Sequence, residues 1–191
     1  MSYRARRRFL WVTFLGGLAL ALLVAIATNG TTLSRLSFEE LAQKATAVAR
    51  LRCVSSESKW DGHEIWTETR FVVIESNKGS LNSLVNVRMP GGSIGGLHSR
   101  VDGVPAFRPG EEAYVFLWAR EGEPFRILGW SQGTFRIFRD ARTGLEKVTQ
   151  DAAATPIYHP LTREFVHEGI RTMTETDFRL KLKQALISTL P

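Results

Sequence analysis

Six consecutive apolar residues, Ala113 to Trp118, stand between two turns, Arg108-Pro109-Gly110-Glu111 and Arg120-Glu121-Gly122-Glu123-Pro124. A run this short, rich in aromatic and branched side chains and bounded by Pro and Gly, reads as a β-strand. Because it lacks polar alternation, it fits a strand buried on both faces. The fold must therefore place apolar material on each side of its sheet.

The neighbouring segments supply the material. Ala49, Leu51 and Cys53 alternate with Arg50 and Arg52 from Val48 onward, a half-buried strand expected to close at Ser55-Ser56-Glu57-Ser58. Trp60-Asp61-Gly62-His63 reads as a turn. Ile65 to Glu75 is a second, long strand, Asn77-Lys78-Gly79 a reversal, and Leu84 to Met89 a third strand. Phe125 to Trp130 and, past Gly133, Thr134 to Phe138 follow the central run, and Asp140 to Gly144 turns into Leu145 to Thr149. Two helices frame these strands. Ser37 and Glu40 make a capping box with Leu36 stapling onto Leu41, for a helix ending near Ala47; Thr174 caps the last element, with Met173 stapling onto Phe178. In that last helix Phe178, Leu182, Ala185 and Leu186 form one apolar stripe. Residues 150 to 172 read as irregular. The expected architecture is mostly β: a small, OB-like closed barrel of five or six strands with a short N-terminal helix and a C-terminal helix.

The N-terminus carries Arg4, Arg6, Arg7 and Arg8, then no charge from Phe9 to Ala27, and Ala25-Ile26-Ala27 gives the small-x-small pattern of a signal-peptidase site. Residues 1–27 are thus expected to be a signal peptide cleaved after Ala27, or else an uncleaved anchor, since ~19 apolar residues nearly span a bilayer. Residues 28–36 are expected to be a linker and 37–191 one barrel domain, exported to the periplasm or beyond. Without the four N-terminal arginines the 25 basic residues fall to 21 against 19 acidic ones, a net +2. The basic character belongs to the export segment, so no nucleic-acid partner is expected. Cys53, the only cysteine, can form no internal disulfide.

A strand from Val48, a long strand to Glu75, the turn Asn77-Lys78-Gly79, a third strand, a long loop and then Phe107-x-Pro109-Gly110-Glu111 before an apolar strand resemble the netrin-like module, the OB fold shared with tissue inhibitors of metalloproteinases, and also uncharacterised exported bacterial proteins. The resemblance covers about Leu41 to Phe138. Those inhibitors work through an N-terminal cysteine and a disulfide framework that this chain lacks, so no inhibitory role passes to any residue here.

No catalytic, cofactor or metal motif is present. His63, His98, His159 and His167 have no zinc-site spacing; Ser93, His98 and Asp102 lie in one loop without a nucleophile elbow; and Pro90 to Gly96 lacks the Lys and following helix of a phosphate loop. Trp60, Trp66, Trp118 and Trp130 are candidate stacking surfaces. The Pro90–Gly110 segment, long and without evident structure of its own, is the expected binding loop, with Ile94, Leu97, His98, Arg100 and Val101 as contact side chains. The expected function is non-enzymatic: an exported binding or interaction module with a protein partner, touching membrane only through its N-terminal segment. An exported hydrolase and an oligosaccharide-binding domain are the alternatives.

Overall fold

The computed structural model describes residues 33–154, 157–159, 162–166 and 169–188. The expected export segment with Ala25 and Ala27 lies outside these residues, as do Pro156, Pro160 and His167. Helix α1, Phe38–Lys44, begins as the capping box requires: Ser37 Oγ accepts the Glu40 N–H at 3.1 Å, and Glu40 Oε2 accepts the Ser37 N–H at 2.8 Å. It stops three residues earlier than the periodicity implied, because Ala47 already belongs to a strand.

That strand, β1 (Ala47–Asp61), forms a long hairpin with β2 (Glu64–Lys78), which pairs in turn with β3 (Leu84–Pro90). Two short strands follow, β4 (Gly92–Ile94) and β5 (Leu97–Ser99), then the apolar run as β6 (Glu112–Trp118). After β6 come β7 (Arg126–Ile127), a 3₁₀ turn at Trp130–Gly133, β8 (Thr134–Arg139), β9 (Glu146–Gln150), the small hairpin β10 (Ile157–His159) with β11 (Glu164–Val166), β12 (Met173–Thr174) and α2 (Glu175–Ile187). The main sheet has eight strands in the order β12-β9-β8-β6-β1-β2-β3, with β7 also on β6, and every pairing in it is antiparallel.

Strand β6 is buried on both faces, as its sequence demanded. On one side Ala113, Val115 and Leu117 join Leu51, Cys53, Phe71, Val87, Met89 and Ile127; on the other Tyr114 and Phe116 join the helices. There Phe38 meets Phe116, Phe135 and Phe178 edge-on at 5.5–5.8 Å between ring centres, so α1 and α2 close over the sheet around one aromatic cluster. Phe178, Leu182 and Ala185 form the buried stripe of α2, while Leu186 packs at its margin.

Four expectations change. Among the described residues the main hydrogen-bonded ladder has eight strands, more than the five or six expected, and no closed barrel is found in it; β3 meets the chain before β7 at one parallel bridge, Val87 to Phe125, where the Arg88 N–H donates to Phe125 O at 2.8 Å. Strand β1 continues through the serines to Asp61, because a register shift at Val54 turns Ser56 and Ser58 toward Thr69 and Thr67, which they meet by hydroxyl bonds of 3.0 and 3.1 Å. The Pro90–Gly110 segment contains the β4–β5 hairpin and is not a bare loop. Residues 33–36, assigned to a linker, are tied down: the Arg35 N–H bonds Tyr158 O, the Leu36 N–H bonds Gln132 Oε1, and Gln132 Nε2 bonds Ser34 O.

Candidate binding cleft

The β4–β5 hairpin folds back over the β1–β2 ribbon and is fixed there by polar contacts. Ser58 Oγ accepts the Ser93 N–H at 3.0 Å, Thr67 Oγ1 donates to Gly91 O at 2.7 Å, and the Gly91 N–H donates to Ile65 O at 2.8 Å. Gly92, at φ 138°, sits so close to the ribbon that a Cβ would run into Ser58 Oγ and Thr67 Oγ1. Between hairpin and ribbon tip lies a cleft of about 370 Å³, walled by Trp60, His63 and Ile65 on one side and Leu97, His98 and Val101 on the other. Trp60 is 52% exposed and Leu97 59%, while Ile65 forms a buried floor.

Of the residues expected to make contacts, Leu97, His98 and Val101 come together here. Ile94 does not line this cleft, and Arg100 lines a neighbouring hollow with Val104 and Arg136. Trp60 and His63 complete the site, and sequence reading missed them as its members. The signal was the alternation Ser56-x-Ser58-x-Trp60, which continues β1 on a polar inner face.

The hairpin carries no hydrolytic triad. Ser93 Oγ lies 2.7 Å from His98 Nδ1, but Asp102 is 3.6 Å from Arg100, with both of these charged side chains in solvent. Carboxylates converge elsewhere, on Arg50, and each is an ion-pair partner: Glu112 at 2.6 Å, Glu146 at 3.2 Å and Glu175 at 3.7 Å. Among the described residues no group of three His, Cys, Asp or Glu side chains could hold a metal.

Three of the four candidate tryptophans are engaged in the fold. Arg88 and Arg126 lie over Trp66 at 4.7 and 5.6 Å, Arg120 lies over Trp118 at 5.7 Å, and Trp130 packs on the inner core. Only Trp60 among them is more than half exposed. A larger groove of about 930 Å³ runs between α2 and the end of β2, but a 2.7 Å ion pair from Arg179 to Glu75 ties its walls together. The smaller cleft combines a fixed polar hinge with exposed apolar walls. The chain matches no protein-family model, no curated protein and no solved structure.

Proposed function

We propose that this is an exported, non-enzymatic interaction module of OB-like, netrin-like form that holds a protein partner in the cleft between the β1–β2 ribbon tip and the β4–β5 hairpin. The observation that carries the reading is the pairing of Trp60 and Leu97, both more than half exposed, across one cleft with a buried Ile65 floor. Aromatic and aliphatic anchors at such a position are what a protein interface concentrates its energy on. The barrel form draws support from the bridge between Val87 and Phe125, which brings the edge of β3 to the segment entering β7, the place where a small barrel would close around Phe71, Val87 and Ile127. Fast exchange of the Arg88 amide, as on a free edge, would count against that closure.

The binding test uses the full chain immobilised as bait for the exported fraction of its source cells. A specific partner should be retained by the wild type, and Trp60→Ala with Leu97→Ser should weaken its capture by roughly 30-fold, about 2 kcal/mol. Both variants should keep the wild-type thermal transition. Equal capture by wild type and variants overturns the cleft as the site.

A further inference from the structure

Strand β1 is longer than the sheet that holds it. Ala47–Arg52 pair with β6, and Cys53 exchanges hydrogen bonds with the chain just before it, donating to Glu111 O and accepting from the Gly110 N–H, both at 2.9 Å. From Ser55 to Asp61 the strand has β2 on one side and, among the described residues, no strand on the other. The two-residue reversal Gly62-His63 makes Asp61 and Glu64 the hydrogen-bonded pair next to the turn, so Ser55, Glu57 and Lys59 also aim their main-chain groups at β2. Ser56, Ser58 and Trp60 then aim theirs outward. Ile65, opposite Trp60, agrees with this phase, since its carbonyl turns away from β1 to accept the Gly91 N–H. Among the described residues nothing bonds the outward N–H and C=O groups of Ser56, Ser58 and Trp60, which leaves a polar edge open to another strand.

We propose that a second copy of this chain pairs along this edge, antiparallel, about a two-fold axis through Ser58. Charge selects both the occupant and the register. With the axis at Ser58, Ser58 faces its own counterpart, Ser56 faces the second copy's Trp60, and Glu57 stands opposite the second copy's Lys59 twice over. Moving the axis one residue either way sets Glu57 against Glu57 or Lys59 against Lys59, which is unfavourable for residues directly opposite each other. Lys59 already contacts Glu68 of β2 at 2.6 Å, so the pairing would continue one charge ladder from Glu68 through Lys59 to the second copy's Glu57. Residues opposite each other in a sheet share a face, so Trp60 and its cleft in both copies would open on the same side. The dimer would present two binding clefts together.

Sedimentation equilibrium on the full chain and site-resolved amide exchange test the proposal. Expected are a monomer–dimer equilibrium and exchange at Ser56, Ser58 and Trp60 that slows as concentration rises, with Glu57 and Lys59, already bonded to β2, unchanged. Glu57→Lys and Lys59→Glu should each weaken dimerisation about tenfold, and the double variant, complementary again, should return to within about threefold of wild type. A monomer at every concentration, a dimer indifferent to both reversals, a double variant no tighter than the singles, or edge protection seen only with a foreign partner overturns it.

Discussion

Arg50 points from β1 toward the helix-covered side of the sheet, between Ala49 and Leu51 in sequence, and its mostly buried guanidinium must be compensated there. Glu112 and Glu146 do so directly, and Tyr114 joins the group by donating its hydroxyl to Glu175 at 2.5 Å; burial, reinforced by that bond, pushes the Tyr114 phenol above its ordinary range. For Glu112 burial alone would raise the carboxyl, but hydrogen bonds from Arg50 and Arg52 outweigh it and hold the group below the usual carboxylate range. A depressed folded value means that its contribution is complete above the unfolded value of ~4.3 and is lost as pH falls from there through the folded one. The melting temperature should therefore be flat from pH 7 to about 5 and fall below about 4. Glu112→Gln should cost about 2–3 kcal/mol at neutral pH and make the acid fall shallower. An acid limb identical to wild type would remove Glu112 from the linkage. In the sequence Arg50 was legible as the polar half of an alternation; its partners were not, because Glu112 and Glu146 stand 62 and 96 residues away.

The Pro90–Gly110 excursion contains two elements with opposite roles. Its first half, the β4–β5 hairpin, is a surface device held by Ser58 and Thr67. Its second half belongs to the core: Phe107 is 6% exposed, meets Phe71 edge-on at 5.0 Å and lies under the Arg136 guanidinium at 4.3 Å. Arg136 clamps this half further by donating to Ala106 O at 2.7 Å while pairing with Glu111 and Asp151 at 2.7 and 3.0 Å. Shortening the whole loop would thus not spare stability, contrary to what its Gly content suggests. Replacing Gly92–Ser99 by a short turn should shift unfolding by under about 1 kcal/mol, whereas Phe107→Ala should cost about 3–5 kcal/mol, both read from denaturant melts. Collapse of the fold on removing the hairpin would make it structural instead. The turn Pro109-Gly110 and both helix starts were legible because caps and turns are local chemistry; the burial of Phe107 and the length of β1 were not. Both depend on what lies across the sheet, and the inner face of the ribbon is held by hydroxyl pairs, which leave no hydrophobic trace.

At the scale of the molecule, the demand made by Ala113–Trp118 for two covered faces is met by two cores that share β1 and β6, and this layering was readable from one strand. How the sheet ends was not, since the bridge from Val87 to Phe125 is a main-chain contact that marks no residue type. Export can be tested at the N-terminal end of the chain. Among the described residues the Leu33 carbonyl accepts the Tyr158 N–H at 3.0 Å, and the Arg35 N–H returns a bond of 3.1 Å to Tyr158 O. Cleavage after Ala27 leaves Thr28 to Thr32 ahead of that contact and cuts none of these bonds. The basic stretch Arg4 to Arg8, the uncharged Phe9 to Ala27 and the Ala25-x-Ala27 site together lead us to expect a secreted chain starting at Thr28. Mass spectrometry of the protein recovered from expressing cells decides this: a mass lacking residues 1–27 is the expected result, and an intact Met1 in the membrane fraction would instead make Phe9–Ala27 a retained anchor for the rest of the chain.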